Sequence, residues 1–136
     1  MQNEPMNNSL RRCSKLEVDS MQPFHVYLYG PSQGPIATSF EDAADRLEQE
    51  PRLHFEPDGS FVWSLDAKEQ IYGMLYDAQQ QLQYVDLQGH CRLEIWQRLI
   101  VAIAGESADK CEVMVIPSRE LKDLQAFERS KWGPLD

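Results

Sequence analysis

Basic side chains are scarce in this chain. Its 136 residues hold 13 Lys and Arg against 22 Asp and Glu, a formal net charge of −9. Residues 1–22 carry three of each sign, so the whole deficit falls on residues 23–136, with 10 basic and 19 acidic side chains. Nucleic acid and anionic membrane surfaces are both held by a basic footprint, which this balance does not supply. Neither is expected as a partner, whereas a basic protein is compatible.

Long apolar runs are missing too. Leu99–Ala104 is six apolar residues in a row, far short of the roughly 20 that cross a bilayer. Cysteine is limited to Cys13, Cys91 and Cys111. That odd number, at spacings that match no disulfide framework or zinc finger, together with a first 22 residues that hold no apolar leader-like stretch, points to a reducing cytoplasm.

Signatures of specific chemistry are equally thin. There is no GxSxG or HExxH sequence. The loop Gly30–Pro35, GPSQGP, sits between a strand and a helix, where phosphate loops occur. Two prolines remove backbone donors from it, however, and no Lys or Arg lies between Lys15 and Arg46. His90 and Cys91 are adjacent, and neighbours in sequence chelate one ion poorly. No metal site and no cofactor is expected. His25 and His54 lie on alternating strand positions, with no spacing that ties either to a carboxylate for acid–base work.

What the chain does contain is a set of clear periodicities. Ile95, Trp96, Leu99, Ile100 and Ile103 make one helical face inside Cys91–Gly105, with Val101 widening the apolar sector and Gly105 as the stop. The spacing predicts a helix over 92–104, covered on most of its circumference. Phe40, Ala43, Ala44 and Leu47 predict a second amphipathic helix starting near Thr38 or Ser39, with Thr38 and Glu41 at capping-box spacing. A third is expected from a cap at Ser118, carrying Leu121, Leu124 and Phe127, with Trp132 folding back on the body.

Alternation predicts strands at 24–29, 53–56, 61–65, 70–76, 81–87 and 111–116. Asp58-Gly59 reads as a hairpin turn and Asp77–Gln80 as another. Gly73 inside a strand signals a bulge or a close backbone approach. Lys15–Asp19 alternates weakly and is a candidate edge strand. The expected fold class is α+β: a mostly antiparallel sheet of five to six strands with about three helices, the 92–104 helix packed on one face. Residues 1–22 are expected as a loosely attached N-terminal segment and 23–136 as a single α+β domain.

Aromatic placement is the most informative feature. Tyr27 and Tyr29 share a strand face opposite Phe24, Val26 and Leu28. Tyr72 and Tyr76 share one with Met74, and Tyr84 and Trp63 lie on neighbouring strands. If helices cover one side of the sheet, Tyr27, Tyr29, Trp63, Tyr72, Tyr76 and Tyr84 are candidates to line the other. Tyr, Trp and Met bury well at interfaces because each offers large area at modest entropy cost. The leading expectation is a non-catalytic protein-binding or regulatory module of the bacterial kind, holding a protein partner or forming a homodimer through that face. The alternative is a small enzyme or ligand-binding protein, its pocket near Gly30–Pro35 with His90 and Cys91. An acidic decoy for a nucleic-acid site ranks last, because the carboxylates are spread along the chain.

Overall fold

Side-chain alternation sorts nearly every strand into one sealed face and one open face. The structure is a computed structural model, described here for residues 23–133. Its elements run β1 (Phe24–Tyr29), α1 (Phe40–Glu48), β2 (Leu53–Phe55), β3 (Ser60–Asp66), β4 (Glu69–Ala78), β5 (Gln81–His90), α2 (Leu93–Ala104), β6 (Glu112–Val115), β7 (Glu120–Asp123) and α3 (Leu124–Trp132). The strands form one antiparallel sheet in the order β2-β3-β4-β5-β1-β6-β7. The fold is therefore α+β, with one strand more than the sequence suggested.

The meander β2 to β5 follows from its turns. Gly59 takes φ +99°, and the Asp58 carboxylate accepts from the Ser60 backbone N–H at 2.9 Å. The β4–β5 connection is two residues, Gln79 and Gln80, both at positive φ. That geometry matches the right-handed twist of the strands even though the residues are not Asn-Gly. Gly73 is a close approach, not a bulge: it pairs with Phe61, and a Cβ there would lie 2.1 Å from the Phe61 ring. The register shifts fall elsewhere, between Ser64 and Asp66 and between Tyr76 and Asp77.

α2 supplies the lid of the core. Ile95, Trp96, Leu99, Ile100 and Ile103 are buried along it, together with Val26, Leu28, Trp63, Ile71, Val85 and Leu87 of the sheet. A side chain meets the backbone at each end of the helix. Glu69, 4% exposed, accepts from the Arg92 N–H and from its Nε, both at 2.9 Å. At the other end Arg46 of α1 donates to the carbonyls of Ala102 at 2.8 Å and Ile103 at 2.9 Å. Val101 departs from expectation: it is 54% exposed, because α1 and α3 flank the helix without closing over its outer side.

One helix start falls at an expected position and one does not. α1 is capped by Ser39, which accepts from Asp42 N, while Thr38 accepts from Arg46 instead. The last helix begins at Leu124 with Asp123 as its cap, not at Ser118. Residues 120–123 pair with β6 as the seventh strand. Trp132 does fold back, donating from Nε1 to the Cys91 carbonyl at 2.9 Å and packing against Phe24, Trp96 and Phe127. The candidate strand Lys15–Asp19, and the N-terminal segment 1–22 as a whole, lie outside the described residues.

Candidate functional site

All three described helices contribute to one core on one side of the sheet, and no described element covers the other side. Register brings its outward residues into rows. One row runs Met74, Asp86, Tyr27, Met114, Leu121, each directly opposite the next across β4-β5-β1-β6-β7. The next row towards the Gly30 end holds Tyr76 opposite Tyr84, and Tyr29 opposite Glu112. A third carries Val62, Tyr72, Gln88 and His25.

Tyr84 is the hub. Its ring stacks on Tyr76 at 4.7 Å between centroids and on Tyr29 at 5.5 Å, and lies 5.3 Å from Tyr27. Because β5 sits between β4 and β1, Tyr84 is enclosed between Tyr76 and Tyr29. Its phenol is held above the usual tyrosine range, first by burial and then by the neighbouring tyrosines and Asp86. Such cross-strand aromatic pairs each stabilise a sheet by roughly 0.2–1 kcal/mol. Tyr76 nevertheless stays 40% exposed and Tyr72 52% exposed, and Leu121 on the same face is 43% exposed. Of the four large apolar side chains exposed among the described residues, only Val101 lies elsewhere.

Polar groups frame the rings. Asp86 accepts a hydrogen bond through Oδ1 from His25 Nε2 at 3.0 Å. Glu112 accepts from the backbone N–H groups of Ser32 at 3.2 Å and Gln33 at 2.9 Å, which fastens the 30–35 loop to the edge of this face. Among the described residues no group accepts from the hydroxyls of Tyr27, Tyr29, Tyr76 or Tyr84, while Tyr72 donates to Gln70 at 3.3 Å.

The structure thus brings together five of the six aromatic candidates: Tyr27, Tyr29, Tyr72, Tyr76 and Tyr84. Trp63 is the exception and does not line this face. It is 1% exposed, sits opposite Leu53 and Ile71 on the sealed face, and donates from Nε1 to the Pro51 carbonyl at 3.0 Å. Met114, Leu121, Asp86 and Glu112 belong to the face and were missed as a group. Alternation within 111–116 was the available signal for Glu112 and Met114, but the partner strand of each was not.

The pocket alternative does not assemble. Gly30–Pro35 follows the end of β1, whereas His90 and Cys91 lie beyond the opposite end, where Phe24 pairs with Gly89. The five steps of β1 separate them by roughly 17 Å at ~3.3 Å per residue. His90 is turned to the Lys68 carbonyl. Burial pushes the thiols of Cys91 and Cys111 up to about 12, the reverse of what a nucleophile needs. Among the described residues no three His, Cys, Asp or Glu converge as metal ligands, and no helix is long and apolar enough to cross a membrane. An open cleft of about 800 Å³ beside Thr38, Arg46 and Lys110 is lined by an arginine already committed to the α2 carbonyls. Compared with protein-family models, curated proteins and solved structures, the chain matches none.

Proposed function

We propose that this protein is a non-catalytic binding module, and that the open face of its sheet holds a protein partner. One observation carries the reading: the exposed aromatic and apolar side chains gather on the side of the sheet that no described element covers, around the Tyr76–Tyr84–Tyr29 stack. Large rings with few rotors give contact area at low entropy cost, and their hydroxyls can pair with polar groups of a partner. The rings and carboxylates lie spread across rows of an open sheet surface, which suits a macromolecular surface better than a small substrate.

The test is selection of a random peptide library displayed on phage against the full chain. Recovered peptides are then measured on Tyr72→Ser and Tyr76→Ser variants whose fold is checked by circular dichroism. The expected result is peptides whose binding falls about tenfold or more in both variants. Peptides that bind both variants as well as they bind the parent would overturn the assignment of this face.

A further inference from the structure

The open face is one-sided in charge as well as in shape. Its outward strand positions hold Asp86, Glu112 and Asp123, and none of those on β1, β3, β4, β5, β6 or β7 is Lys or Arg. Two of the three carboxylates lie directly opposite a tyrosine: Asp86 opposite Tyr27, and Glu112 opposite Tyr29. The side chains of such a pair start about 5 Å apart. A ring face beside a carboxylate is the arrangement that receives a cation, since the quadrupole and the anion attract the same charge.

Building on the protein-binding reading, we propose that the partner is a basic protein segment. Its arginines lie over Tyr27 and Tyr29, with Asp86 and Glu112 as their counter-charges. Arginine fits better than lysine, because a planar guanidinium stacks on a ring while its N–H edge reaches a carboxylate. Asp86 gives one oxygen to His25, and among the described residues the other has no hydrogen-bond partner. Glu112 already receives two backbone N–H groups, so its position is fixed before any partner arrives. A second copy of the chain is the poorer occupant. Face to face, it brings carboxylates against carboxylates with no Lys or Arg at the described outward strand positions to separate them, and like charges opposed across strands are destabilising.

The experiment uses the full chain and the phage-selected peptides described above, with binding measured by fluorescence anisotropy. Arginine is expected to be enriched in the selected peptides over the starting library. Asp86→Asn and Glu112→Gln should each weaken binding about tenfold. Glu94→Gln, which removes the same charge from the exposed side of α2, should leave it within about twofold. Affinity should fall as salt rises from about 50 to about 500 mM.

Peptides that need Tyr72 and Tyr76 but show no arginine enrichment and ignore Asp86→Asn and Glu112→Gln would refute the basic partner while leaving the binding face in place. Peptides indifferent to the tyrosines would refute both. Light scattering that finds a dimer dispersed by Tyr76→Ser would assign the face to a second copy and overturn the proposal. So would tighter peptide binding in the Arg11→Ser, Arg12→Ser, Lys15→Ser variant, which would give the face to the chain's own N-terminal segment.

Discussion

Gly73→Ala should lower the stability of this fold by about 2 kcal/mol, and the reason is a single ring. Gly73 pairs with Phe61 across β3 and β4, and both face the core. An added Cβ would stand 2.1 Å from Phe61 Cζ, 2.3 Å from Cε2 and 2.8 Å from Cε1. Ordinary contact begins near 3.4 Å, so the ring must retreat by about 1.3 Å. Phe61 is 2% exposed and its neighbours Trp63, Ile71 and Leu75 are equally enclosed, which leaves it nowhere to go. Overpacking of that kind costs about 3 kcal/mol. The alanine recovers roughly 0.4–1 kcal/mol by restricting the unfolded chain, since Gly73 does not hold a positive φ.

Urea unfolding followed by fluorescence of Trp63 and Trp96 measures the difference. Phe61→Leu alone should cost about 1 kcal/mol or more through lost volume. In the double variant the leucine lacks the clashing ring atoms and the new methyl fills part of the space. The two effects should therefore fall short of additivity by about 2 kcal/mol. A Gly73→Ala protein within about 0.5 kcal/mol of the parent, or a strictly additive pair, would refute this account of the residue.

Two more outcomes follow from buried titratable groups. Glu128, 4% exposed, accepts from Trp96 Nε1 at 3.1 Å, and burial raises its carboxyl above the usual range. The folded state then binds the proton more tightly than the unfolded one. Stability should decline as pH rises from about 4 through the folded-state titration, and Glu128→Gln should remove that decline and be the more stable protein at pH ~7 by urea unfolding. A less stable glutamine variant would show that the charge is welcome there. In a Cys13→Ser background, Cys91 and Cys111, with thiols pushed up to about 12, should resist a disulfide reagent at pH ~8 until urea exposes both. A fast-reacting thiol in the folded protein would refute their role as packing residues.

How much of this was legible depends on which interactions are local. The α2 face from Ile95 to Ile103, the Asp58-Gly59 turn and the alternation of β1 each rest on neighbours in sequence, and each was readable. β7 was not. Leu121, Leu124 and Phe127 have helical spacing, and Glu120, Lys122 and Asp123 are poor strand formers. What makes 120–123 a strand is its pairing with β6, with Leu121 opposite Met114. Short and charged, it is the kind of strand that closes a sheet edge without inviting another chain to add on. Trp63 failed for a related reason. Alternation put it with Phe61 and Leu65, and only the β3–β4 register shows that this is the face of Ile71, away from Tyr72. The pocket alternative failed because sequence does not say which end of a strand two loops share.

The tyrosines also hold the sheet together, and they differ from residue to residue in how much surface that leaves open. Tyr84 is half-buried in contact with Tyr27 and Tyr29, which are half-buried themselves and keep part of each ring open to the face. Tyr76 stacks on Tyr84 yet keeps 40% of its surface in water. Tyr72 keeps 52% and takes no part in the stack, its hydroxyl turned to a neighbouring glutamine. Moving a strand by one residue would turn these rings into the core and the core leucines out, so the chain cannot seal one face without presenting the other. The asymmetry that α2 imposes on the sheet is thus also what sets a rigid aromatic surface, edged by carboxylates, in front of solvent.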